Sequence, residues 1–339
     1  MSKKITIYDV AQQAGVAIST VSRVLNKSPY VSDDTKDKVI KAIKELQFRP
    51  QVNARKLASK EAQTLSIAVP TFTTPFFNEV LKGVKDEITS LDLDFIIYNT
   101  GSSNQKFNLM KFLDRGTPDA IMLFSFEIDE ETDQILKSLN IPIILVDNKH
   151  PDYDYFHWDN FKGGYLAGQH LARQGFLDIG VIKTFASALH VRERERGFMQ
   201  AMYDYKIKIP ENNIITGITK KHAGFSEEAG FEAVNALYER NGKLPEALFC
   251  FNDTIAIGAL HALSQLQKDV PGDIAVVGYD NIKISHYVGL STIDQKMYEV
   301  GVMAVKRLSE RIRRKELPLE QRVIDPELIK RQSTNKKID

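Results

Sequence analysis

The chain has 339 residues, 43% hydrophobic and 26% charged, with a net charge of +1 and one cysteine. The length points to about two domains, the lone cysteine excludes a disulfide framework and a thiolate metal site, and the absence of any run of ~18 apolar residues excludes a membrane-spanning helix. The small net charge hides an asymmetry: residues 1–60 hold 12 Lys and Arg against 5 Asp and Glu, the remainder 33 against 39, the layout of a chain whose one end meets a polyanion.

The first element is a short helix over Thr6–Ala14. Thr6 is its N-cap, Asp9 sits three residues on, Val10, Ala11 and Ala14 make the apolar stripe, and Gly15 ends it. A second helix follows after two residues, from Ile18 to Leu25, with Val21, Val24 and Leu25 inward and Ser19, Ser22 and Arg23 on the other face. A third runs from Ser32 to Leu46, with acids in its first turn and Val39, Ile40, Ile43 and Leu46 apolar. Helix, glycine turn, helix and a supporting third helix make the helix-turn-helix plan, whose second helix enters the major groove. A small helical bundle without a DNA partner has the same spacing. Pro50 stops the third helix, and Asn53–Ala58 is too short to stand alone as a helix.

From residue 62 short apolar runs alternate with amphipathic stretches. Strands are expected at Leu65–Val69, Phe95–Tyr98, Ala120–Phe124 and Ile143–Val146, with Phe77, Val80, Leu81, Val84, Ile88 and Leu91 at helical spacing after the first. A second round follows Trp158 and Asp159, with helices near Phe161–Arg173, Arg196–Tyr205 and Thr254–Gln267. Its strands are Ile179–Ile182, Leu248–Phe251 and Ile274–Gly278. Repeated β-α alternation implies parallel sheets wrapped by helices. Two halves imply two lobes, with ligands beyond the carboxyl ends of the strands. Cys250, inside an apolar run, reads as a buried small hydrophobe.

The head stretch Ile7-Tyr8-Asp9-Val10-Ala11…Ala14-Gly15-Val16…Thr20-Val21-Ser22-Arg23-Val24-Leu25-Asn26 resembles the N-terminal signature of the lactose-repressor/galactose-repressor (LacI/GalR) family. The resemblance continues through Phe48-Arg49-Pro50…Asn53-Ala54-Arg55…Leu57-Ala58. In the body it is carried by Val146-Asp147, Arg194–Phe198, Phe249–Asp253 with Ala256–Gly258, and Val277–Asp280. It implies a helix-turn-helix domain over 1–49, a hinge helix over 50–61 and an effector-binding and dimerisation domain over 62–339. That body is α/β and like a periplasmic binding protein, with crossovers between lobes near 159–161, 289–292 and 320–325.

By position the resemblance assigns base reading to Ile18, Ser19 and Arg23, the last as a bidentate guanine reader. Phosphate contacts fall to Thr6, Thr20, Ser22, Asn26, Ser32 and Thr35. Asn53, Ala54 and Leu57 fall in the hinge, with Leu57 wedging into the minor groove. Ala17 departs from the serine usual at the start of the recognition helix, so that cap is lost. In the body the implied effector contacts are Phe77, Asp147, Arg194, Phe225, Asn252 and Asp280, a set suited to a polyhydroxylated ligand. His157 and His190 lie near these segments.

The expected protein is thus a cytoplasmic, nucleoid-associated transcriptional regulator, most simply a repressor. It binds a palindromic operator as a homodimer and answers a sugar-like effector; a purine or a phosphorylated partner protein is the alternative. The polar C-terminal end lacks the leucine heptads that join dimers into tetramers. No cofactor or metal is expected. An enzyme reading would cast Asp147 and Asp280 as acid and base, but no nucleophile elbow, P-loop or dinucleotide fingerprint accompanies them. A solute receptor would share the body, yet it would need a signal peptide and would lack the head.

Overall fold

A computed structural model describes residues 5–25, 28, 30–48, 64–91, 93–101, 104–116, 118–185 and 189–335. The chain separates into two compact units, which part between 63 and Thr64. The expected hinge residues Asn53, Ala54 and Leu57, and the expected phosphate contact Asn26, lie outside the described residues.

The first unit holds α1 (Ile7–Ala14), α2 (Ile18–Leu25) and α3 (Asp33–Glu45). Asp9 Oδ2 accepts from the Thr6 backbone N–H at 2.8 Å, which satisfies one of the amides a helix start leaves open. Gly15 closes α1 at φ 66°, a left-handed conformation that a side chain would strain. Val10, Ala11, Val21, Val39 and Ala42 are buried and fuse the three helices into one core. Ile40, expected on the inner stripe of α3, is 43% exposed, and Ala42 takes the inner place.

The second unit contains two parallel sheets. The larger has the order β11 (Gln321–Ile324), β5 (Asp154–Trp158), β4 (Ile143–Val146), β3 (Ala120–Phe124), β1 (Thr64–Val69), β2 (Asp94–Asn99). Both of its faces are covered at the centre, which is why β3 and β4 read as continuous apolar runs. On one face Leu65, Ile67, Met122 and Phe124 pack under α4 (Pro75–Ser90) and α12 (Met297–Arg313). On the other, Ala68, Ile121 and Leu123 pack under α5 (Gln105–Leu113) and α6 (Glu130–Ser138). The final strand, β11, and α12 come from the far end of the chain, so this lobe is built from two separate stretches.

The smaller sheet has the order β7 (Ile214–Thr216), β6 (Ile179–Lys183), β8 (Ala247–Cys250), β9 (Ala275–Val277). Around it lie α7 (Asn160–Arg173), α8 (Leu189–Asp204), α9 (Glu227–Asn241) and α10 (Asp253–Gln265). Cys250 is fully buried in this core, and burial pushes its thiol far above the ordinary range. An antiparallel ribbon of β10 (Thr292–Asp294) and β12 (Glu327–Ile329) completes the second lobe.

The chain passes between lobes after Trp158, after Asp294 and after Ile324. The second passage comes later than the 289–292 expected, because Ser291 and Asp294 still bridge to Val277 and Asp280 of the second lobe.

Candidate functional site

In the head, α2 exposes Ile18, Ser19 and Arg23 together, while Thr20 and Ser22 are half-buried beside them. Side chains three and four residues apart share a helix face, so Ser19, Ser22 and Arg23 form one polar stripe over the buried Val21. Ala17 contributes only its carbonyl, which accepts from the Thr20 and Val21 amides at 2.9 and 3.2 Å. The Thr6 hydroxyl donates to Asp9 Oδ2 at 2.6 Å, so its proton is already engaged within the helix start. Ser32 and Thr35 share one hydrogen bond at 2.9 Å, which leaves one hydroxyl proton of the pair to donate outward.

In the body, three of the four expected polar residues follow strand ends, and the fourth, Arg194, lies within α8. Asp147 comes directly after β4, Asn252 two residues after β8, and Asp280 three residues after β9. Four non-glycine residues at these ends have positive φ: Ser125 (45°), Asp147 (63°), Asp280 (114°) and Asn281 (58°). Such conformations cost about 1–3 kcal/mol each and concentrate at functional sites.

Arg194 sits at the centre of the second lobe's contribution, 4% exposed. Its position follows from the pairing of α7 with α8. A Cβ on Gly164 would lie 1.9 Å from the Arg194 carbonyl oxygen, and one on Gly197 would lie 1.8 Å from that of Phe161. Only glycine lets the two backbones touch. Arg194 Nη2 donates to Asn160 Oδ1 at 2.9 Å, Nη1 donates to the Phe251 carbonyl, and the guanidinium carbon lies 3.4 Å from the Tyr279 ring centroid. Its Nε is buried and has no partner among the described residues.

Asp280 is 4% exposed, and its Oδ1 accepts from Gln295 Nε2 at 2.7 Å and lies 3.9 Å from Arg194 Nη1. Burial pushes its pKa well above the ordinary carboxylate value; Arg194 opposes that shift, and the charges of Asp253 and Asp147 add to it. From the first lobe, Asp147 Oδ2 accepts from Ser125 Oγ at 2.8 Å and lies 3.7 Å from Nδ1 of His190 on α8. His190 in turn lies against Phe225, with ring centroids 6.5 Å apart. Asp147 and Phe225 are thus linked through His190, and Arg194 to Asp280, with His190 and Arg194 four residues apart on one face of α8.

Two expected contacts stand differently. Asn252 caps α10, its Oδ1 accepting from the Ile255 amide at 2.9 Å, which leaves its amide nitrogen for other work. Phe77 is buried in the first lobe's core with its ring 6.2 Å from Phe124. The half-buried aromatic on that turn is Phe76, whose ring lies 5.4 Å from Trp158 at the first passage between lobes. Sequence reasoning also passed over Asp253, which is fully buried and accepts from Ile282 N, Ser285 Oγ and Thr292 Oγ1. Burial raises its pKa to about 6. The Asn-Asp pair at the start of α10 was its only signal.

Away from these residues, ligand atoms of Asp133, His150 and Asp152 lie within 4.8 Å of one another. Lys137 Nζ is 2.6 Å from both carboxylates and supplies the cation that pair requires. Among the described residues no helix is long and apolar enough to cross a membrane.

Comparison with known proteins matches residues 6–51 to the model of bacterial regulatory proteins of the lacI family, and residues 169–334 to a periplasmic binding protein-like domain. The HTH-type transcriptional repressor PurR of Actinobacillus pleuropneumoniae is 36% identical over 335 residues, covering 97% of this chain and 98% of its own. The lac repressor dimer bound to operator and the anti-inducer ONPF aligns with a TM-score of 0.82 at 25% identity, over 98% of this chain and 99% of that one. A complex of the transcriptional regulator CelR with cellobiose aligns with a TM-score of 0.68 at 26% identity, over 97% and 99%.

Proposed function

The chain belongs to the LacI family of bacterial regulatory proteins, as a DNA-binding transcriptional repressor with a ligand-binding body, and we propose that a neutral polyhydroxylated small molecule controls its operator affinity. The observation that carries this reading is the charge at the strand ends. Asp147 and Asp280 come from opposite lobes, and the Arg194 guanidinium beside Asp280 is already engaged by Phe251, Asn160 and the Tyr279 ring. Carboxyl groups exchange hydrogen bonds with vicinal hydroxyls, whereas a phosphorylated ligand would bring its charge to two carboxyl groups with little free cation to offset it. Phe225 supports the C–H face of a sugar ring, and the relative solved with cellobiose fits the same class.

A purine is the second reading, because the 36% identical relative carries the name PurR and ring N–H groups also suit carboxylate acceptors. On the DNA side, Ile18, Ser19 and Arg23 read bases, while Thr20, Ser22, Ser32 and Thr35 hold phosphates. Leu57 wedges at the centre of a palindromic operator bound by two copies.

The dimer face we assign to the exposed edge of the larger sheet. Phe95, Ile96 and Ile97 of β2 are 39%, 51% and 37% exposed. A groove of about 680 Å³ beside them is lined by Leu81, Val84, Ile284 and Tyr287. An unpaired apolar edge of this kind is normally covered, and a second copy is the occupant that the dimeric lac repressor supports.

The test is Asp280→Ala in the full-length protein. Cellobiose, D-ribose, D-glucose and hypoxanthine are screened by calorimetry, and operator affinity is measured with and without the probe that binds. The variant loses the ligand response and keeps operator binding. A variant that binds and answers like the parent removes Asp280 from the site, and hypoxanthine as the sole binding probe replaces the sugar with the purine.

A further inference from the structure

Two histidines stand at the Asp147 end of this site. His157 is the fourth residue of β5, 6% exposed, and its Nδ1 has no hydrogen-bond partner among the described residues. A buried polar atom left unpaired costs about 1–3 kcal/mol and marks a position that a ligand group or water completes. β5 pairs with β4 with Phe156 opposite Val146, and the Asp147 amide donates to the Phe156 carbonyl at 2.9 Å, which brings His157 alongside Asp147. The titratable and charged groups acting on its ring are Asp147, Lys149, His190 and Asp159. His190 comes from the other lobe, with Nδ1 3.7 Å from Asp147 Oδ2 and its ring against Phe225. It feels Asp147 and Arg194. Burial lowers the pKa of both histidines, so both rings are neutral at neutral pH.

We propose that Asp147, His157 and His190 form a hydroxyl-recognition subsite spanning the two lobes, which selects an uncharged hydroxyl-bearing end of the effector over a phosphorylated one. This rests on the ligand class proposed above and names the residues that set its specificity. A neutral imidazole offers one donor and one acceptor, and a hydroxyl is the small group that satisfies either tautomer while donating to a carboxylate. A phosphate dianion has no proton to donate to Asp147, and two neutral rings bring no positive charge to offset its own. Because His190 and Asp147 belong to different lobes, a hydroxyl held between them is bound only when the lobes are together, which ties specificity to closure.

Calorimetry on the full-length protein with D-glucose, D-ribose and cellobiose, and with glucose 6-phosphate and ribose 5-phosphate, tests the subsite. At least one neutral sugar binds, and the phosphorylated sugars bind at least about tenfold more weakly than it does. His157→Leu weakens the neutral sugar about tenfold and narrows that gap, the loss expected for one hydrogen bond in a dry site. His157→Gln, which restores a donor and an acceptor, stays within about threefold of the parent. Should His157→Leu fail to melt cooperatively, His190→Leu at a partly exposed position carries the same expectation. Parent-like affinity in both leucine variants, with binding lost in Asp280→Ala, overturns the subsite and leaves the ligand class standing. A phosphorylated sugar binding more tightly than any neutral one, or no neutral sugar binding at all, overturns both.

Discussion

The guanidinium carbon of Arg194 lies 3.4 Å from the centroid of the Tyr279 ring, so the buried cation is held by a π face as well as by oxygen acceptors. A planar cation that stacks and forks at once has no equivalent in lysine. Arg194→Ala leaves Asn160 Oδ1 with only the 3.4 Å hydrogen bond from the Tyr279 hydroxyl and Asp280 without its neighbouring cation, and removing one partner of a buried ion pair costs about 3–5 kcal/mol. Arg194→Lys recovers little of this. Urea denaturation of both variants checks it: a lysine variant as stable as the parent would mean that the stacked fork contributes nothing.

His170 gives the body a specific acid weakness. It is 4% exposed, its Nε2 shares a 2.7 Å hydrogen bond with Thr334 Oγ1, and burial lowers its pKa from 6.5 to about 4. The unfolded chain takes up the proton first, so this contribution is fully present above pH 6.5 and is lost as pH falls toward 4. The depression corresponds to about 2–3 kcal/mol. His170→Gln therefore loses less stability than the parent between pH 7.5 and pH 4.5. Equal losses in urea melts at the two pH values would assign the acid sensitivity elsewhere.

Arg23 is exposed on α2 beside Ser19. Arg23→Ala costs about 1–3 kcal/mol at one base position and relaxes preference there. Titration against operators substituted one pair at a time reads this directly. A uniform loss across all sequences would make Arg23 a phosphate contact instead.

The edge of β2 offers a test of assembly that leaves both the head and the cleft untouched. Ile97→Glu places a charge in the apolar groove and should yield a monomer in sedimentation. Operator binding then falls by about tenfold or more, because two half-sites are no longer held together. A dimer of parent-like affinity would move the interface to another face.

Much of this protein is legible along the chain. The helices of the head come from local signals, namely a Thr-Asp start, a glycine stop and apolar spacing over eight residues. The buried strands β3 and β4 stand as uninterrupted apolar runs because each is covered on both faces. Asp147 and Asp280 stood out because strand ends and motif positions coincide, Arg194 by motif position alone. Tertiary structure decided the rest. The return of helix α12 and strand β11 to the first lobe was signalled only by the crossovers that the resemblance implied, because their partners lie more than a hundred residues earlier and no local pattern encodes a returning chain. The same holds for Asp253, whose three donors come from 282, 285 and 292, and for the exchange of Phe77 for Phe76 as the half-exposed ring. Burial, unmet hydrogen bonds and the pairing of His190 with Asp147 depend on what two distant segments bring to one place, and a linear pattern carries only the local half of that information.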